Sequence, residues 1–544
     1  MRYCSAPMLC SVFKTGFSLL LFVALWASGH VFAAAEGRAN GVSLDELFSD
    51  HMVLQRNAPL PVWGSAPAGT RVTVEFGGSG AEATANAEGK WMARLPALPA
   101  SKEGRDLSVR SGGAICATIH DVLVGEVWIC AGQSNMEFRL NQEATWASEQ
   151  KAAALPLIRL RSPGWAGQGV YGAPLSADAV ARLTPARFYS SAAWIPCEPA
   201  KAGGFSAVGY FFGKEIQHAL DVPVGLINLA IGGSPAEAWI SRAALARNPA
   251  LAPMVAPHWL ENQSALEPWC IGRALAHLGT NLATAPADDL GPNHLFKPAF
   301  LWDAGPARLM PFAIRGVLWY QGESNALSHL GEAGVANPKW RVEQHEALFK
   351  AMVQDWRAQW GLGDFPWLIC QLSSIDTSKY KSHFWPEFRD QQRRAISQLP
   401  NCALAVCSDI GNPTNVHPTN KHELGKRLAA AALRVVYRDS TALPCPLPIE
   451  ARNRGGNVAI AVQYAGTGLS TSNGSTPAGF ELAGADGVFH PAEATLAGQN
   501  VVVHAAGVTS PKDVRYGWQP YSIGNVVNSA GFPLSTFQLP IREN

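Results

Sequence analysis

Val124-Gly125-Glu126-Val127-Trp128-Ile129-Cys130 runs into Ala131-Gly132-Gln133-Ser134-Asn135-Met136, and the fold of this 544-residue chain is read from that junction. An apolar strand stops at a glycine, a polar triplet follows, and a helix can begin at the serine. Ser134 therefore stands at a strand C-terminus and a helix N-terminus, where backbone N–H groups and the helix dipole favour negative charge on a nearby oxygen. Met136 occupies the place of the second glycine in Gly-x-Ser-x-Gly, which counts against an ordinary α/β-hydrolase elbow.

Three further blocks repeat the pattern of a strand that ends in small or polar residues. Leu226-Ile227-Asn228-Leu229-Ala230-Ile231-Gly232-Gly233-Ser234 closes on two glycines, which let a backbone N–H approach a ligand closely. Gly316-Val317-Leu318-Trp319-Tyr320-Gln321-Gly322-Glu323-Ser324-Asn325 closes on side-chain amides, the material of an oxyanion hole when they converge with backbone N–H groups. Val416-His417-Pro418 precedes a helix and presents a general base.

Between residues 121 and 437, apolar strands alternate with helix-like segments. The strands are Val122–Ile129, Val224–Ala230, Gly316–Tyr320, Trp367–Leu372 and Leu404–Cys407; the helices are Ala207–Leu220, Gln344–Trp360, Glu387–Gln398 and Lys421–Tyr437. Such alternation predicts an α/β fold, a parallel sheet covered by helices. Residues 141–205 and 245–310, rich in Ala, Pro and Trp, read as long insertions. Short strands cut by Gly, Pro and Asn turns on either side predict a β-sandwich-like domain over 37–120 and a second β domain over 441–544.

The 43 Lys and Arg nearly cancel the 42 Asp and Glu, for a net charge of +1. No electropositive field is left for nucleic acid or an anionic membrane. Arg2 and Lys14, the apolar run Gly16–Ala27 and Val31-Phe32-Ala33 together predict a signal peptide over residues 1–33 and a secreted or periplasmic protein. That run of about 12 residues is short for a bilayer crossing. Cys4 and Cys10 leave with the signal, and the eight remaining cysteines have no Cys-x-x-Cys spacing; no His-Glu-x-x-His occurs, so neither a metal site nor another cofactor is expected.

The four blocks resemble the Ser, Gly, Asn and His blocks of the SGNH hydrolases, and most of all the sialate O-acetylesterase family and its acetylxylan-esterase relatives. Leu47-Phe48-Ser49-Asp50-His51-Met52-Val53-Leu54-Gln55-Arg56, Val208–Gly213, Val514-Arg515-Tyr516-Gly517-Trp518 and Asn528–Gly531 extend the likeness over nearly all the mature chain. The resemblance implies a three-layer SGNH domain flanked by N- and C-terminal β domains. It implies Ser134 as nucleophile and His417 as general base. An oxyanion hole would comprise the N–H groups of Ser134 and Gly233 with an amide from Asn325 or Gln321. Gln133, Glu323 and Arg389 fall on family blocks and are expected to line the substrate cleft, with Trp239 and Trp319 beside them as sugar contacts.

Two or three residues before the histidine, where the superfamily often has an acid, this chain has Thr414 and Asn415. Asp409 is the nearest upstream carboxylate and the candidate third member. The competing reading has Asp409 cap its own loop and leaves a Ser-His dyad.

The expected partner is an acetylated carbohydrate, 9-O-acetylated sialic acid first, with acetylxylan or another glycan as the alternative. A non-catalytic carbohydrate-binding protein is a third reading, opposed by the intact Ser134, Gly233, Asn325 and His417.

Overall fold

A computed structural model describes residues 41–326, 339–376 and 384–543. The expected signal segment, 1–33, lies outside the described residues.

The long strand β1 (Ala114–Gly132) is the axis of the molecule. Around it lie β2 (Leu155–Arg161), β3 (Ile195–Cys197), β4 (Val224–Asn228), β5 (Gly316–Tyr320), β6 (Trp367–Cys370) and β7 (Cys402–Ala405), in the order β3-β2-β4-β1-β5-β6-β7. Every pairing among these is parallel except β3 with β2. The second half of β1 is buried on both faces, which is why it reads as a nearly unbroken apolar run. Val127, Ile129 and Ala131 point into one core, while Trp128 and Cys130 point into another.

Six helices matter to the site: α1 (Ser134–Glu137), α2 (Ala207–Leu220), α3 (Pro268–Leu278), α4 (Lys339–Trp360), α5 (Trp385–Ser397) and α6 (His422–Val435). Val208, Phe211 and Phe212 of α2 and Leu424 and Leu428 of α6 cover one face of the sheet. Leu348, Phe349, Met352 and Trp356 of α4 and Ile396 of α5 cover the other. The fold is therefore α/β, as the alternating pattern predicts. From β1 the chain moves to β2 and β4 on one side and then to β5, β6 and β7 on the other. The C-terminal ends of β4, β1 and β5 thus meet where the winding reverses, the place where open α/β sheets leave a crevice.

The boundary drawn at residue 120 falls inside β1. The first half of that strand pairs with Ser101–Ser111 and Val53–Gln55, the second half with β4 and β5, so one sheet runs through both regions. Glu126, fully buried in β1, accepts hydrogen bonds from Arg56, Arg315 and Gln55, which explains the Gln-Arg that ends the Leu47–Arg56 motif. Residues 447–542 form an eight-stranded sheet with its own core around Val458, Ile460, Phe480, Val514 and Phe537.

All eight cysteines among the described residues are free thiols. No helix among these residues is long and apolar enough to cross a membrane.

Candidate active site

The site begins at Gly132. Its φ of +125° and the approach of the Tyr320 carbonyl, 2.2 Å from where a Cβ would sit, admit only glycine at the turn out of β1. The chain then bends into α1 and leaves Ser134 half-buried at the first helical position. An N–H at that position has no intrahelical partner.

His417 comes from the loop before α6, and its Nε2 lies 2.8 Å from Ser134 Oγ. Burial, followed by the charge of Lys421, lowers the His417 pKa to about 4. The imidazole is therefore neutral at pH 7 and can accept the serine proton. Its loop is pinned by its own side chains: Asn412 Oδ1 accepts from the N–H groups of Thr414 and Asn415, and Asn415 Oδ1 accepts from the N–H of His417.

The Gly and Asn loops are bonded to the serine loop and to each other. Gln133 Oε1 accepts from the N–H groups of Gly322 and Ser324, and Ser324 Oγ donates to the Gly233 carbonyl. Glu137 Oε2 accepts from the N–H of Gly232 at 2.8 Å, and a Cβ on Gly232 would lie 3.7 Å from that of Ser134. The N–H of Gly233, held at φ +72°, has no acceptor among the described residues.

The two amides differ. Gln321 is fully buried, and its Nε2 donates to both Ser234 O and Asn325 Oδ1, so neither of its N–H bonds is left for a ligand. Asn325 is half-buried. Its Oδ1 accepts from Gln321 and from the N–H of Ala236, while Nδ2 donates to Glu237 and keeps its other hydrogen.

Several expected contacts are not in the cleft. Asp409 is turned away from His417: both its oxygens lie 2.7 Å from the guanidinium of Arg427, a bidentate pair of favourable geometry. Trp239 and Trp319 are 0% and 1% exposed and pack edge to face in the core, so neither meets a sugar. Glu323 is buried and accepts from Asn135. Arg389, wholly buried, donates to Ser374 Oγ and to the carbonyls of Gly517, Gln519 and Pro520, tying α5 to the C-terminal region. Gln133 is also buried and orders the Asn loop instead of facing substrate.

The residues that sequence reading passed over are Asn135 and Lys421. Asn135 Nδ2 donates to Glu323 Oε1 at 2.5 Å and to the Val416 carbonyl at 2.9 Å, and its Oδ1 accepts from Lys421 Nζ at 2.5 Å. Lys421 is fully buried over the rings of Phe138 and Tyr320, and burial lowers its pKa to about 8. The only available signals were Asn135 following Ser134 and Lys421 lying four residues after His417.

A solved carbohydrate acetylesterase from Xanthomonas citri is 33% identical, superposes with a TM-score of 0.72, and spans 91% of this chain and 99% of its own. The chain belongs to the same carbohydrate acetylesterase family. A family model described as carbohydrate esterase, sialic acid-specific acetylesterase, matches residues 301–434. The sialate O-acetylesterases of Homo sapiens and Pongo abelii are each 26% identical, over 79% of this chain and 76% of theirs. Membership in this family makes the chain an esterase, a hydrolase. Residues 301–434 contain β5, its Asn loop, β7 and the histidine loop, but Ser134 and Gly233 lie outside them.

Proposed function

We propose that this protein is a secreted or periplasmic carbohydrate O-acetylesterase of SGNH three-layer architecture, acting through a Ser134 acyl-enzyme. The observation that carries the reading is the 2.8 Å contact between Ser134 Oγ and the neutral imidazole of His417 at the reversal of the sheet. Ser134 Oγ attacks the acetyl carbonyl as its proton passes to His417 Nε2. The developing oxyanion is met by the N–H groups of Ser134 and Gly233 and the remaining N–H of Asn325 Nδ2. Collapse breaks the ester bond, and the sugar oxygen leaves with the proton from His417. A water then gives a proton to His417 and attacks the acetyl group, and acetate leaves as His417 returns that proton to Ser134 Oγ.

His417 works in this scheme as half of a dyad. Nδ1 has no hydrogen-bond acceptor among the described residues, and Asp409 is taken by Arg427. Residues 37–120, whose sheet continues through β1 into the catalytic domain over 121–437, and residues 441–544 serve as β regions that brace that domain, and residues 1–33 as the export signal.

The preferred substrate is an O-acetylated sialic acid, the class that the name of the Homo sapiens and Pongo abelii relatives supports, and the 9-O-acetyl ester is the position proposed first. Acetate release from Ser134→Ala tests the mechanism: a loss of more than about a hundredfold with an unchanged circular dichroism spectrum is expected. Retention of more than a few per cent of turnover removes Ser134 from the chemistry. Acetate release from a panel of glycans tests the substrate, and activity on acetylxylan with inert 9-O-acetyl sialic acid would overturn the sugar assigned.

A further inference from the structure

The two long insertions meet beside the site. Trp269 and Arg273 lie on α3, from residues 245–310, and Tyr171 lies in the segment 141–205. The Arg273 guanidinium sits between two rings, 4.1 Å from the centroid of Tyr171 and 5.3 Å from that of Trp269. Trp269 in turn stacks on Phe296 with centroids 5.8 Å apart and planes at 28°. This stack reaches the chemistry, because a Cβ on Gly233 would lie 3.2 Å from Trp269 and 3.0 Å from Phe296.

Three features mark the array as a place for a ligand. Tyr171 is 77% exposed, an unusual position for so large a ring, and Trp269 and Arg273 are half-buried. Arg273 has no hydrogen bond or ion pair among the described residues, so five N–H donors are held in a fixed plane and uncommitted. Gly272, inside α3, is exposed, and a Cβ there would meet nothing within 4 Å. Glycine weakens a helix interior relative to alanine, and no packing demands it here; its effect is to keep the surface beside Trp269 and Arg273 bare. Gly172 has a packing reason, since a Cβ there would stand 2.5 Å from the guanidinium.

A pyranose has an apolar C–H face and a rim of hydroxyls. Flat rings match the face, and a planar guanidinium matches the rim. We infer that Tyr171, Arg273 and Trp269 form a glycan subsite that binds a sugar ring of the chain carrying the ester, one or more residues from the acetylated position. The substrate is then an oligosaccharide or polysaccharide end rather than a lone acetylated sugar. This inference rests on the reading of the site as a carbohydrate esterase.

The test is the ratio of kcat/KM on a glycan to kcat/KM on p-nitrophenyl acetate, which has no second sugar. The glycans are chemically acetylated xylohexaose and acetylated sialyllactose. Tyr171→Ala and Arg273→Ala should each lower the ratio by about tenfold on at least one glycan, whereas Tyr171→Phe retains it. Tyr171 is exposed enough that its variants fold as wild type does. Ratios within about twofold of wild type on both glycans overturn the subsite while leaving the esterase reading intact. A wild-type protein that turns over p-nitrophenyl acetate but neither glycan overturns both.

Discussion

The side-chain amide of Asn135 donates to the carbonyl of Val416 at 2.9 Å, so the neighbour of Ser134 holds the neighbour of His417. The two residues are 281 positions apart in sequence, and this bond helps set the distance between the serine and the imidazole. The same amide lies between a buried acid, Glu323, and a buried cation, Lys421. Both groups are cut off from water, so Asn135 also satisfies part of their hydrogen bonding.

Asn135→Ala should therefore lower kcat by about 10- to 100-fold while KM stays within about twofold, the mark of a positioning residue that does not touch substrate. Unfolding free energy should fall by about 2–4 kcal/mol, because Glu323 and Lys421 lose a partner where no water replaces it. Steady-state kinetics and urea melts on one preparation measure both.

The pH profile follows from His417. Its pKa is lowered to about 4, so the proposed base is unprotonated and competent above that value and is lost as pH falls through it. The acidic limb of kcat/KM should lie near pH 4 and not near the usual histidine value of about 6.5. Lys421 contributes to that lowering, so Lys421→Met should move the limb to higher pH. A limb that stays in place in the variant would exclude Lys421 from tuning the base.

Asp409→Asn tests the third member. Its carboxylate pairs bidentately with Arg427, which is buried and also donates to the Val406 carbonyl. Stability should drop by about 1–3 kcal/mol with turnover within about threefold of wild type. A fall of several hundredfold at unchanged melting temperature would restore the triad.

Asn325→Ala and Gln321→Ala separate the two amides. Asn325 keeps an N–H for the proposed oxyanion contact, and its loss should cost about 100-fold or more in kcat. Gln321 uses both N–H bonds inside the protein, so its variant should lose stability first, read as a lower melting temperature, with a smaller effect on kcat.

The sequence alone determined the sheet and the position of the serine. Residues 122–131 are apolar except for Glu126 because that strand is buried on both faces, and Gly132 is required by a backbone that no other residue adopts. A local pattern of burial and turn chemistry is written in consecutive residues, so it can be read from them. The partners of polar side chains are not local. Asp409 lies near His417 in sequence, yet Arg427 takes it, because a turn of α6 brings a guanidinium to both carboxylate oxygens. Trp239, Trp319 and Arg389 stand beside site blocks yet point into the core or the C-terminal region. The bond from Asn135 to Val416 and the meeting of Tyr171 with Arg273 join segments far apart in the chain. Tertiary packing decided these contacts, because each depends on where a side chain points once the sheet has closed and its helices have docked.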